Sequence, residues 1–338
     1  PYFSVLFTVQ NTDSKCFWLT NWVETVLVQC WYPTTVATTS RAQKQIIAQY
    51  LSETADSLEG LPFKLHDFGF RGSTSVESDI GGAANLVNFC GTDTIAGIVM
   101  ARNYYGCEMG GFSVPAAEHS TITTWGKDGE VDAFRNMLLK VCVTLIITLP
   151  SAPITVLPRP YNSANTPLYI TEPLHSYNST LVVRPDSGDP PKVVVKVLNL
   201  LGKAFGTVKN SKGFHLLPPY IRIIQGDGIS YETLGTILEN MKRNKWSADN
   251  ISFGSGGALL QKMDRDTQKF AYKCSYAVVN GKGVNVFKQP ITDLGKKSKK
   301  GLLSLELDDQ GNYCTVQEGK GDPDKVSTPI SYYLQLML

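Results

Sequence analysis

No stretch of this chain is apolar for long enough to cross a membrane as a helix. The longest apolar run, around Val141–Leu149, falls far short of the roughly 20 residues that such a span needs. No two cysteines have Cys-x-x-Cys spacing, and the seven present (16, 30, 90, 107, 142, 274 and 314) are odd in number and scattered. That argues against a disulfide framework and a zinc site, and it points to a reducing compartment. No signal peptide is evident; the chain begins at Pro1 inside strand-like sequence and reads as joined in its middle, with more chain upstream. A strong charge of one sign is also missing: the formal net charge is +2, so no global basic field argues for nucleic acid. The dense basic run Lys296-Lys297-Ser298-Lys299-Lys300 is local, and it reads first as a solvated loop and second as an anion contact. There is no P-loop, no nucleophile elbow and no cluster at metal-ligand spacing, so no residue is assigned to a metal.

What the chain does have is a repeated layout. Short apolar runs each end in a small, sharply polar signature: KLHDFGFRG (64–72), LVNFCGTDT (86–94), FSVPAAEHST (112–121), LVVRPDSGD (181–189), IRIIQGDG (221–228) and ISFGSGGALLQK (251–262). Continuous apolar runs read as buried strands. Polar residues and glycines just past one strand after another mean that many loops converge on one face, where α/β barrels put their active sites. Most of these signatures lie roughly 26 to 29 residues apart, enough for one strand, one helix and two short loops. APITVL (152–157) supplies a further strand in the long gap before Arg184, which makes seven. Helices are expected over 18–28, 40–55 and 191–205, a strand over 1–10, and antiparallel strands with glycine turns over 274–287 and 302–319.

The expected fold is therefore α/β: an irregular seven-stranded barrel with a second α+β domain built from the two chain ends. The expected division is 1–55 as a remnant of an N-terminal α/β domain with connecting helices, 56–266 as the barrel, and 267–338 as a β-rich segment returning to the first domain.

Several signatures carry chemistry, each beside a plainer reading. His119 is either a neutral histidine hydrogen-bonded at a strand end or a nucleophile and acid/base that can meet a phosphate. The glycine loop at 253–260 is a plain turn or an anion site of bare amides, with Lys262 and Arg265 nearby. Arg184-Pro185-Asp186 reads first as a surface turn, and Asp227 between two glycines as a turn aspartate unless it faces a pocket. His175 and His215 have no evident role.

Together these segments, with NTDSKCFWLTNWVETVLVQCWYP (11–33), GFSVPAAEHSTITTWGKD (111–128), LLPPYIRIIQGDG (216–228), FGSGGALLQKMDRD (253–266) and KKSKKG (296–301), resemble the nicotinamide phosphoribosyltransferases of the type II phosphoribosyltransferase family. The resemblance implies transfer of phosphoribosyl from phosphoribosyl pyrophosphate to nicotinamide, giving nicotinamide mononucleotide and pyrophosphate in NAD salvage. It also implies Mg2+ with the pyrophosphate or ATP, assistance by ATP through a phosphohistidine, a homodimer, and a cytoplasmic protein for which the family suggests non-classical secretion as well. Nucleic acid and membrane are not expected as partners. On matching positions His119 becomes the phosphorylated histidine, Phe68 one face of an aromatic sandwich around the pyridine ring, and Asp93 the acceptor for the carboxamide NH2. Arg184 and Pro185 lie near ring and phosphates, Asp186 and Asp227 hold ribose hydroxyls, and Gly226, Gly257 and Arg265 line the nucleotide phosphate. Arg71, with His119, Arg184, Lys273 and Lys288, contacts the diphosphate; His119, Asp93 and Arg184 form the catalytic set.

Three departures stand out. The family's opening sheet and its aspartate–tyrosine segment, which completes the ring sandwich of a partner subunit, are absent from 1–338. The stretch 158–179 lacks the acidic pattern of the family, and the tail after Gly321 leaves it. A second reading follows: a truncated, inactive dimeric binding or signalling form of the same fold.

Overall fold

Seven short parallel strands organise the larger of the two units into which the chain divides, residues 32–268; residues 1–31 and 269–338 form the other. The computed structural model describes residues 4–140, 145–149, 180–185, 188–292 and 297–325. The larger unit contains β1 (Leu65–Asp67), β2 (Gly91–Thr92), β3 (Ala116–Ala117), β4 (Leu145–Leu149) and β5 (Leu181–Pro185). It continues with a two-stranded ribbon, β6 (Val208–Lys209) and β7 (His215–Leu216), and then β8 (Ile221–Gln225) and β9 (Ile251–Ser255). The sheet order is β2-β1-β9-β8-β5-β4-β3, and every neighbouring pair is parallel. Parallel pairing demands crossovers. Numbering helices from α1 (Leu19–Trp22) and α2 (Glu24–Val28), both in the smaller unit, the larger holds α3 (Trp31–Thr54, from Tyr32 on), α4 (Asp79–Leu86) and α5 (Ile95–Tyr105). After these come α6 (His119–Thr123), α7 (Gly126–Lys140), α8 (Pro190–Phe205), α9 (Tyr231–Arg243) and α10 (Gly257–Leu260).

Helix α8 shows why these segments fold locally as they do. Pro190 and Pro191 open it, where a missing N–H costs nothing, and Gly206 ends it at φ +82°. Its apolar residues Val194, Val197, Leu198 and Leu201 follow helical spacing and are buried. They join Leu234, Ile237, Leu238 and Met241 of α9, and Leu181, Val183, Ile221, Ile223, Ile251 and Phe253 of the strands, in one core. Burying each such side chain contributes roughly 1.5–3 kcal/mol.

One short segment meets both ends of the sheet order. Phe112 donates its N–H to the Cys90 carbonyl (2.7 Å) and accepts from the Thr92 N–H (2.9 Å), beside β2. A few residues later Ala116 and Ala117 pair with Ile146 and Ile147 of β4.

Some expectations change. The strand between β3 and β5 is β4, within the run too short for a membrane span; the strand expected over 152–157 lies outside the described residues. Residues 4–10 form no strand; the Val5 N–H donates to Thr315 Oγ1 (2.9 Å) and the Ser4 hydroxyl to the Tyr313 carbonyl (3.5 Å), both in β13 (Tyr313–Gln317). Without a backbone ladder, alternating sequence has nothing to pair with. Helix α3 starts nine residues before the expected Ser40, because Pro33 falls in its first turn, where proline is tolerated.

In the smaller unit β10 (Tyr276–Val279) and β11 (Lys282–Asn285) form a hairpin closed by Asn280 and Gly281, both at positive φ as a two-residue turn requires. β12 (Leu303–Leu307) pairs antiparallel with β13. The Tyr272 hydroxyl donates to the Thr20 carbonyl (2.9 Å), which ties the two chain ends together. Among the described residues no helix is long and apolar enough to cross a membrane.

Candidate active site

Because the seven strands are parallel, their C-terminal ends lie together at one end of the sheet, and the loops there carry most of the singled-out residues. The loop after β1 is tied down on two sides. The Phe68 N–H donates to the Ser255 carbonyl at the end of β9 (2.9 Å). The fully buried Asp67 accepts the Gly69 N–H on Oδ1 (2.7 Å), and its carbonyl accepts the Asp93 N–H (2.9 Å). Burial pushes the Asp67 carboxyl above its ordinary range, against the Gly69 amide, which favours the ionised form. Asp67 thus links the loop bearing Phe68 to the loop bearing Asp93.

Phe68 sits over bare backbone. A Cβ added at Gly254 in β9 would fall 2.4 Å from Phe68 Cε2, and one at Gly226 would fall 2.9 Å from the Arg184 guanidinium carbon. These two glycines make room for side chains. The Phe68 ring stacks on His66 (centroids 4.4 Å apart, 28° between planes), and the Arg184 guanidinium lies 5.4 Å from the Phe68 centroid.

Asp93, just past β2, is half-exposed. Its Oδ1 lies 2.9 Å from His66 Nε2 and accepts the Ser113 hydroxyl at 2.5 Å. Burial alone would raise its carboxyl, but the hydrogen bonds from His66 and Ser113, with the positive charge of Arg184, outweigh it and hold the group below the usual carboxylate range. Asp93 is therefore ionised at neutral pH.

The structure brings Phe68, Asp93, Arg184 and Gly226 together, with His66 and Ser113 among them. Arg71 is exposed on the turn after Phe68, and that turn lies against the glycine loop after β9: a Cβ at Gly69 would meet the Gly256 carbonyl at 2.9 Å. Gly257 is exposed and opens the four-residue α10. Pro185 is buried at the end of β5, and Asp186 lies outside the described residues. Asp227 is exposed, with its carbonyl accepting from Gln225 Nε2 (2.9 Å). Arg265 is exposed, with Nη2 3.4 Å from the Asp266 carboxylate. His119, exposed at the start of α6, has Nε2 3.5 Å from Glu118 Oε1. Lys273 and Lys288 belong to the other unit; there Lys288 and Ser298 exchange two hydrogen bonds, from the Lys288 N–H to the Ser298 hydroxyl (2.8 Å) and from the Ser298 N–H to the Lys288 carbonyl (2.9 Å).

Sequence reasoning missed His66, Asp67 and Ser113. For His66 a signal existed: it stands two residues before Phe68, and in extended chain such residues share a face. No local pattern marks Ser113, whose partner is 20 positions away.

Comparison with known proteins places this site in context. The model of the nicotinate phosphoribosyltransferase (NAPRTase) family matches residues 63–326. The nicotinamide phosphoribosyltransferase of Xanthomonas campestris pv. campestris (strain 8004) is 49% identical over 315 residues, covering 91% of this chain and 66% of that protein. The enzyme of the same name from Acinetobacter baylyi is 32% identical over 324 residues, covering 90% and 64%. The chain thus spans just under two thirds of the length of these relatives. A crystal structure of nicotinate-nucleotide pyrophosphorylase from Pyrococcus furiosus is similar in fold, with TM-score 0.50 and 18% identity, covering 88% of this chain and 62% of that one.

Proposed function

The chain belongs to the nicotinate phosphoribosyltransferase family, and from that premise we propose that it transfers phosphoribosyl from phosphoribosyl pyrophosphate to nicotinamide in NAD salvage. The observation that carries this reading is the Asp93 carboxylate, ionised and half-exposed at the strand mouth, in one cluster with an aromatic ring and a guanidinium. An ionised carboxylate only accepts hydrogen bonds. It suits the NH2 of a carboxamide and repels a pyridine carboxylate.

In the reaction the pyridine nitrogen bonds to C1 of the ribose as the bond from C1 to the pyrophosphate oxygen breaks. Positive charge develops on the sugar and negative charge leaves with the pyrophosphate, so charge placement and alignment dominate catalysis. Phe68 packs against the pyridine ring, Asp93 orients the amide, and Arg184 with Arg71 stabilises the departing diphosphate. Asp186 and Asp227 hold the ribose hydroxyls, and Pro185, Gly226, Gly257 and Arg265 border the nucleotide phosphate. His119 accepts phosphate from ATP to assist turnover. Mg2+ enters this reading with the diphosphate or with ATP. The segment 112–117, meeting both β2 and β4, supports closure of the sheet into an irregular barrel. A homodimer that completes the ring site, working in the cytoplasm, fits the same reading.

The test is formation of nicotinamide mononucleotide and pyrophosphate by the purified protein, as its gene encodes it, from nicotinamide and phosphoribosyl pyrophosphate. Turnover supports the proposal. Nicotinamide binding without turnover would leave a binding protein of the same fold, and neither would remove the substrate assignment.

A further inference from the structure

His66 is buried at 7% exposure in the middle of β1, and no role in the reaction above requires it. Its ring touches both parts of the pyridine site. One edge meets Asp93 Oδ1 at 2.9 Å, and the face stacks on Phe68 at 4.4 Å. Because Asp93 is ionised and only accepts, His66 Nε2 carries the hydrogen and donates it. Ser113 donates to the same oxygen from the segment beside β2, one residue past Phe112. Both bonds fall on Oδ1, and Oδ2 receives none among the described residues. A carboxylate gripped by two donors on one oxygen cannot turn without breaking both, which costs more than turning in water because hydrogen bonds to charged groups are the stronger kind.

We propose that His66 is a positioning residue that, together with Ser113, fixes the Asp93 carboxylate through Oδ1 and reserves Oδ2 as the acceptor for a pyridine carboxamide N–H. The inference rests on the reading of Asp93 given above. One imidazole then sets the distance and angle between the acceptor and the Phe68 ring, so the amide and the pyridine plane of a ligand are read together. The space for that imidazole depends on Gly91, where an added Cβ would lie 2.9 Å from His66 Nδ1.

Steady-state kinetics with nicotinamide and with nicotinate test it, in the wild type, Asp93→Asn, His66→Phe, His66→Gln and Ser113→Ala. Phenylalanine keeps the ring and the stacking but loses the donor; glutamine keeps an N–H donor. His66→Phe is expected to raise the nicotinamide KM about tenfold, since a hydrogen bond to a charged group contributes on that scale. Its kcat should stay within about threefold, because binding is lost alike in ground and transition states. His66→Gln should recover most of the loss, and Ser113→Ala should show a smaller rise in KM. If Asp93→Asn changes the nicotinamide-to-nicotinate ratio while His66→Phe leaves KM as in the wild type, the His66 proposal fails and the reading of Asp93 stands. If Asp93→Asn leaves the ratio unchanged, both fall. Should His66→Phe not fold, imidazole 15N shifts of the wild type decide. A ring protonated at Nε2 and bare at Nδ1, whose Nε2 signal moves in Asp93→Asn, supports the proposal; the opposite tautomer overturns it.

Discussion

Gly254→Ala is the substitution that most directly tests how this site is built. Gly254 lies opposite His66 in the β1–β9 pairing, under the Phe68 ring. Its added Cβ would fall 2.4 Å from Phe68 Cε2 and 2.6 Å from Cδ2. Carbon atoms pack at about 3.5–4.0 Å, so something must retreat by about 1 Å. The backbone of β9 is held between β1 and β8, and the Phe68 N–H is bonded to Ser255, which leaves the ring to move. Overpacking of this kind costs about 1–3 kcal/mol of stability. A displacement of about 1 Å at a substrate-positioning group can lower the rate about 100-fold. Isothermal titration with nicotinamide, kcat/KM and a thermal melt measure the three consequences. The double substitution Gly254→Ala with Phe68→Leu should regain stability without regaining binding. A Gly254→Ala protein with wild-type affinity and kcat/KM would show that Phe68 does not contact the pyridine, and the reasoning would fail.

At the opposite end of the strands, Lys64 is buried and donates to the Asp249 carboxylate (3.2 Å) and carbonyl (2.8 Å), while Arg222 Nη2 lies 3.5 Å from the other carboxylate oxygen. Asp249→Asn should cost about 3 kcal/mol in a urea melt at pH 7, because it leaves a buried cation uncompensated. Burial already pushes the Lys64 ammonium below its ordinary pKa, so the penalty should shrink as pH rises through that lowered value; a penalty that grew with pH would refute the assignment. The Asp93 carboxyl is depressed in the folded protein, so its contribution to stability is present above the unfolded value of about 3.9 and is lost as pH falls through the lower folded one. The stability difference between wild type and Asp93→Asn should therefore stay level from pH 7 to about 5 and close only below about 4; closure between 7 and 5 would contradict the geometry. With γ-labelled ATP the protein should take up an acid-labile, base-stable label that disappears in His119→Ala, and a label surviving that substitution would move the phosphate acceptor elsewhere.

The alternation of apolar strand and amphipathic helix was legible because it is local. Helix α8 announces itself through Val194, Val197, Leu198 and Leu201 at helical spacing between Pro190 and Gly206, and the β10–β11 hairpin through its Asn280-Gly281 turn. Asp93 and Arg184 stood out in the sequence because each follows or ends its own strand, and Phe68 was named through the family resemblance of its segment. Their chemistry depends only on residue type: an acceptor, a ring, a cation. What those residues do to one another was not legible. His66 and Asp93 are 27 positions apart, and Asp93 and Ser113 are 20 apart. Their hydrogen bonds exist because parallel pairing puts β1 beside β2 and returns the 112–117 segment to the edge of β2. The glycines carry the same lesson. Their sequence positions mark bare backbone, which suits a phosphate as well as a packed side chain. Only the register of β9 against β1, and the reach of Arg184 across to Gly226, decide that the space at Gly254 and Gly226 is taken by Phe68 and Arg184. Residue types and local periodicity determined which chemistry this chain could carry and on which elements. Strand register, a property of pairs far apart in sequence, decided which groups meet and which oxygen of Asp93 takes the hydrogen bonds of His66 and Ser113.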